Sequence, residues 1–426
     1  MDLLSISSLL LTISAIFAYI NYRYIKLPTT IGIMVISLIF SVILVILAKL
    51  GFESGIGVTQ SLVKQIDFNQ ALMNGMLAFL LFAGAMHVNL NALLDNKWVV
   101  GLLASVGVIA STFMVGIVSY FIFGLFGFKI DFIYCLLFGS LISPTDPVAV
   151  MGVLKRAGAT KNLETKIAGE SLFNDGVAVV VFLVIFGIAV NGDPVSVEHI
   201  GKLFALEALG GALFGFIIGW IALYMLKRVD EYQVEVLITL ALVAGGSSAA
   251  ALLHTSAPIA MVVAGLMIGN QGRSTAMSDR TRERLDTFWE LIDEILNAVL
   301  FLIIGLEIIL LSFGATQIAA GLILAVLVLG ARFIAVSVPV TLLRLRRSFH
   351  PHVIKILTWG GLRGGISVAL ALSIPEGPER NIIVVITYII VVLSILLQGL
   401  SVHKLVAFAS RELESESLPR ENPDRL

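Results

Sequence analysis

The sequence predicts an all-α polytopic membrane protein of about thirteen transmembrane helices, built as inverted repeats with two crossing interrupted helices. Three observations carry that prediction. The 426 residues are 58% apolar and only 13% charged, with a mean hydropathy of +1.00, whereas a soluble domain carries about 25% charged residues. Windows of about 20 apolar residues, the length that spans a bilayer, recur along the chain. Two of these windows are broken by proline or glycine clusters that hold a charged residue, at corresponding places in the two halves. The net charge of −1 says little about partners, and no nucleic acid is expected among them. The single cysteine, Cys135, excludes a disulfide framework or a Cys-based metal site.

The windows lie near 3–21, 30–49, 69–88, 98–126, 132–154, 166–190, 203–226, 234–254, 258–270, 289–312, 316–343, 353–373 and 381–405. The first has no basic residue before it and no small-residue cleavage site after it, so it reads as a span and not as a cleaved signal. The ninth is short and opens on Pro258. The charged stretch from Arg273 to Asp286 reads as a short cytoplasmic helix feeding the tenth span, and the tail from Arg411 onward as too short to fold alone. Lysine and arginine concentrate in alternate loops. Arg23, Lys26, Lys97, Lys155, Lys227, Arg282, Arg344 and most of the others lie on one side, against Lys49, Lys64, Lys129, Lys202 and Arg380 on the other. By the positive-inside rule this predicts a multi-pass protein of the cell membrane with the N-terminus outside and the C-terminus cytoplasmic.

The fifth window contains Ser143-Pro144-Thr145-Asp146-Pro147. Two prolines three residues apart remove two backbone donors, so the helix breaks, which is tolerable in a membrane only where the backbone faces protein or water. Asp146 suits the positive end of the half-helix that follows, although a local kink capped by Asp146 gives the same pattern. The twelfth window carries Gly360-Gly361-Leu362-Arg363-Gly364-Gly365. Glycines weaken a helix there and free carbonyls that a guanidinium can satisfy; close helix packing is the alternative. Paired interrupted segments of this kind point to a site between inverted repeats, with Asp146 facing Arg363 where they cross.

The sixth window holds Glu170-Ser171-Leu172-Phe173-Asn174-Asp175. At 3.6 residues per turn Glu170 stacks under Asn174 and Ser171 under Asp175, forming one polar patch. An oxygen-lined patch with a free carboxylate suits a hard cation or a proton; a polar seam between helices is the alternative. Charges at bilayer depth cost roughly 2.5–3.5 kcal/mol each on insertion scales and are usually functional. Arg332, in the middle of the eleventh window, is too deep to reach water, and Glu170 is its candidate partner; capping of broken-helix carbonyls is the other. Three carboxylates (Asp146, Glu170, Asp175) face two guanidiniums (Arg332, Arg363), so one negative charge remains. With both arginines paired, that charge is Asp175, which takes up a proton or a metal cation. The two compete for one site, and a site that crosses only when loaded exchanges them one for one. Ser171 and a carbonyl such as that of Thr145 complete an oxygen cage.

These motifs, with Phe288-Trp289-Glu290 and Gly305-Leu306-Glu307 in the tenth window, resemble the NhaP-type branch of cation–proton antiporters, relatives of the animal sodium–hydrogen exchangers. The resemblance implies an antiporter fold assembled as a homodimer: residues 1–97 and 234–314 as dimerisation domain, 98–190 and 315–410 as ion-transport core, 191–233 as linking span, and 411–426 as cytoplasmic tail. It implies Na⁺ or Li⁺ exchanged for H⁺ in pH homeostasis, with no cofactor, and an elevator motion of the core. Asp175 is then the ion-binding carboxylate, with Ser171, Thr145, Asn174 and Asp146 beside it, Glu170–Arg332 as a structural ion pair, and Asp146 paired with Arg363. Asn174, where electrogenic relatives carry a second aspartate, implies electroneutral exchange. Many relatives have an acid at the position of Ala83, and this chain does without it. His87 reads as an interfacial histidine before a pH sensor, and Glu307 as a packing residue before a second cation contact. The rivals are a K⁺/H⁺ antiporter of the same fold, a channel, and an intramembrane hydrolase using Ser247 and His254, two turns or about 10 Å apart.

Overall fold

Bilayer-length apolar runs form helices because a backbone in lipid satisfies its own hydrogen bonds only that way. The computed structural model describes residues 3–50, 60, 68–146, 150–151, 161–273, 277–345 and 352–417. Its helices follow the predicted windows: α1 (Leu3–Ile20), α2 (Thr29–Lys49), α3 (Phe68–His87), α4 (Lys97–Leu125), α5 (Phe132–Ile142), α6 (Lys161–Phe186), α7 (Val197–Leu226), α8 (Tyr232–Leu252), α9 (Ala257–Met267), α10 (Asp279–Glu307), α11 (Ala315–Arg344), α12 (Val353–Trp359), α13 (Gly365–Leu372) and α14 (Pro378–Phe408). Nine helices among the described residues are long and apolar enough to cross a membrane. The others are shorter, interrupted, or, in α10, charged over the first turns.

Local chemistry sets several boundaries. Ser256 caps α9 by accepting from the Ile259 N–H, with Pro258 in the first turn, which is where a missing N–H costs least. Ser278 likewise accepts from the Thr281 N–H. That cap starts a single 29-residue helix, so the charged stretch after Asp279 forms the opening turns of α10 and not a separate short helix. Residues 274–276 of that loop lie outside the described residues, as do Pro147, Lys155, Arg156 and the last residues of the tail from 418.

The apolar faces pack in two sets. In one, α4 lies on α5 and α11, α5 on α6, and α11 and α13 on α14. In the other, α9 lies on α3, α7 and α8, while α10 lies on α1, α2 and α3. The sets meet where α6 touches α3 and α9, and where α10 touches α13. Leu300 of α10 fits against Gly365 at the start of α13.

Both predicted breaks are present. After Ile142 the chain runs non-helically through Ser143–Asp146, and between α12 and α13 it is extended at Gly364. The two segments run antiparallel past one another, joined by an isolated bridge in which the Asp146 N–H donates to the Leu362 carbonyl at 2.8 Å. The crossing needs glycine at two points. A Cβ at Gly364 would overlap the Asp146 side chain, and one at Gly361 would lie 2.8 Å from Nε of Arg332.

Candidate functional site

The site is built on the crossing and on the middle of α6, which runs past it. Because α6 is regular here, Glu170 and Asn174 share one turn-spaced row and Ser171 and Asp175 the next. All four are buried. Glu170 receives a two-pronged contact from Arg332 of α11, Nη1 to Oε1 and Nη2 to Oε2, both at 2.7 Å. This is the strong form of a charge-assisted pair. Nη2 of Arg332 also reaches the Leu357 carbonyl of α12 at 3.3 Å, so the guanidinium serves a carboxylate and a helix-end carbonyl together.

Asn174 links α6 to the first break. Its amide donates to Thr145 Oγ1 at 2.7 Å and to Glu170 Oε1 at 3.1 Å, while its Oδ1 accepts from the Thr145 N–H at 3.4 Å. The carboxamide is thereby committed to positioning Thr145 and Glu170. Thr145 Oγ1 lies 3.1 Å from Ser171 Oγ, so the two residues named from the sequence meet, and they do so through the Thr145 hydroxyl, where the sequence points to its carbonyl.

Arg363 holds the crossing. Its Nη1 donates to the carbonyls of Ser143 (2.5 Å) and Pro144 (2.9 Å), just beyond the end of α5, and its own backbone N–H donates to Ser394 Oγ at 2.9 Å. Two carbonyls stripped of helical donors by the break are satisfied in this way. The Asp146 side chain lies against Gly364, next in sequence to Arg363.

Asp175 differs from all of these. It is 5% exposed, and its Oδ1 is buried with no hydrogen-bond partner among the described residues. Two guanidiniums therefore share the site with three carboxylates, and the carboxylate whose buried oxygen has no donor is one turn from Ser171. A buried acceptor left unsatisfied costs roughly 1–3 kcal/mol, more for a charged group. The arrangement thus favours a species that brings positive charge to Asp175.

The remaining candidates make other contacts. Ala83 is fully buried in an apolar cluster with Phe82 and Trp289, and the Trp289 indole N–H donates to Thr239 Oγ1 at 3.1 Å. Glu307 closes α10 and is 5% exposed. The Ser247 hydroxyl donates to the Ala244 carbonyl, and His254 lies beyond the end of α8 with φ +51°. Sequence reasoning passed over the buried Asn297 of α10, which donates to the Asp293 carbonyl at 2.9 Å, and Ser394, which supports Arg363. The signal for both was a lone polar residue at helical spacing within an apolar run.

A profile of the family described as "Sodium/hydrogen exchanger, transmembrane" matches residues 11–408. The chain is 52% identical over 418 residues to the Na(+)/H(+) antiporter NhaP of Pseudomonas aeruginosa, covering 97% of this chain and 99% of that one. It is 34% identical over 354 residues to the Na(+)/H(+) antiporter NhaH of Halobacillus dabanensis, covering 82% and 84%. Among solved structures, that of the sodium proton antiporter MjNhaP1 from Methanocaldococcus jannaschii at pH 8 superposes with a TM-score of 0.73 at 18% identity, over 96% of this chain and 99% of that one. That last likeness concerns the fold.

Proposed function

The chain belongs to the sodium/hydrogen exchanger family, a family of transporters and not of enzymes, and from this premise we propose that it exchanges Na⁺ (or Li⁺) for H⁺ across the membrane, one for one, with both ions competing for Asp175. It is a multi-pass membrane protein and a sodium/proton antiporter by kinship. The finer reading rests on one observation: the buried Asp175 Oδ1, without a donor among the described residues, set one turn from Ser171, whose hydroxyl touches Thr145.

Glu170 is neutralised by Arg332 and so adds no charge to the exchange. Asn174 is uncharged where a second aspartate would add a charge. A Na⁺ or a proton at Asp175 each cancels a single negative charge, so loaded carriers of either kind are equivalent and the exchange is electroneutral. Ser171, Thr145, Asp175 and water are the oxygen donors for the cation; Asp146, opposite Arg363, sets the field at the crossing. Alternating access follows from an elevator movement of α4–α6 with α11–α14 (residues 98–190 and 315–410) against α1–α3 with α8–α10 (residues 1–97 and 234–314), and the packing of helices into two sets supports that division. The second body dimerises, 191–233 links the two, and the termini lie outside (N) and in the cytoplasm (C), where lysine and arginine are densest.

Dissipation of a pH gradient in proteoliposomes on adding Na⁺, Li⁺ or K⁺ tests the proposal. Wild type should respond to Na⁺ and Li⁺ and Asp175→Asn to neither; full activity in that variant removes Asp175 from the mechanism. A response to K⁺ equal to that to Na⁺ would favour the K⁺/H⁺ reading.

A further inference from the structure

A cavity of about 640 Å³ opens where α1 ends and the chain turns into α2. Ala18, Asn21, Tyr22, Leu27 and Thr29 line it together with two cations, Arg23 and Lys26. Both cations are exposed, and neither pairs with a carboxylate among the described residues. Arg23 has instead the ring of Tyr24, 6.0 Å away. Two uncompensated charges around one cavity call for an anion.

The loop that carries them is fixed. The buried Asn21 carboxamide donates to the Leu27 carbonyl at 2.9 Å and accepts from the Leu27 N–H at 3.2 Å. Its fit requires Gly32, because a Cβ there would overlap the carboxamide. The Lys26 N–H donates to the Asn21 carbonyl at 2.7 Å. Lys26 itself stands at φ +61°, a left-handed conformation that normally falls to glycine or asparagine. A lysine here forgoes the backbone relaxation that glycine would give and sets its side chain at the cavity.

The surroundings indicate the source of the anion. Tyr19, Tyr22 and Tyr24 are each more than 60% exposed and sit at the end of an apolar span, as interfacial aromatics do. Exposed Leu11 and Ile16 continue along α1 below them. Cations at the end of an apolar span, beside an exposed apolar flank, match a molecule with an anionic head and acyl tails. We propose that Arg23 and Lys26 bind the phosphodiester headgroup of an anionic phospholipid, with its chains laid along α1. The proposal is independent of the reading of Asp175.

The full chain, purified in an uncharged detergent, would be melted with added phosphatidylglycerol, phosphatidylcholine or inorganic phosphate. Phosphatidylglycerol should raise the melting temperature and the other two should not. In Arg23→Gln the phosphatidylglycerol concentration for half the shift should rise about tenfold or more, as expected for losing a charge-assisted contact. Lys26→Gly removes the charge while relaxing the backbone, so it should be at least as stable without lipid and yet lose the response. An equal shift from phosphatidylcholine, an equal shift from inorganic phosphate, or an undiminished phosphatidylglycerol response in both variants would overturn the lipid assignment.

Discussion

Arg332 and Arg363 look interchangeable in the sequence but hold different things. Arg332 grips Glu170 through both terminal nitrogens, whereas Arg363 is found on the carbonyls of Ser143 and Pro144. Removing Arg332 strands a buried carboxylate, a loss on the order of 3–5 kcal/mol. Arg332→Ala should therefore lower folded yield and melting temperature steeply, and Arg332→Ala with Glu170→Gln should recover part of that loss; equal stability of the single variant and wild type would contradict the pairing. Asn174→Asp should also destabilise, because a carboxylate cannot donate to Glu170 Oε1 and Thr145 Oγ1 as the amide does. For Asp175 the sign of the pH response follows from the competition proposed above. At low pH protons displace the cation, and at high pH the site lacks protons to return, so rate should peak between the two. The apparent affinity for Na⁺ should strengthen as pH rises, and an affinity constant across pH, measured in vesicles, would argue against shared occupancy.

The helices themselves were the most legible part, since a bilayer-length apolar run has few alternatives in lipid. The breaks were legible from Pro144 and the glycines around Arg363. Their crossing was inferred only from symmetry, because contacts between positions so distant leave no trace in periodicity. The Glu170–Arg332 contact was reached by elimination among deep charges. The role of Asn174 as a clasp was missed, because the sequence places it beside Glu170 and Asp175 but says nothing of Thr145 across the crossing. The start of α10 was misjudged for a simpler reason: charged residues suggested a separate surface helix, while the Ser278 cap lets one helix run on into the membrane. At the crossing, Gly364→Ala should impair both folding and exchange by pushing the Asp146 side chain away. Gly330→Ala, on the same chain but with open space around its would-be Cβ, should be tolerated; growth of salt-stressed cells carrying each variant would separate the two.

Movement of the whole molecule is constrained where its two helix sets touch. The Asn69 amide of α3 donates to the Ala369 carbonyl of α13 at 2.7 Å, a contact that the proposed elevator step would have to break. Cysteines at these two positions, in a Cys135→Ala background, should allow a short reducible thiol cross-linker to stop exchange, with recovery on reduction. Exchange that continues through the cross-link would rule out relative sliding at this seam.

Glu170 and its partner Arg332 stand 162 positions apart in the chain, and Asp146 meets Leu362 at a greater separation still. During synthesis the acidic helix must therefore enter the bilayer long before the arginine that neutralises it exists. A nascent chain halted between the two carries an exposed ionic fault, which makes it a natural substrate for membrane quality control until the later helices arrive.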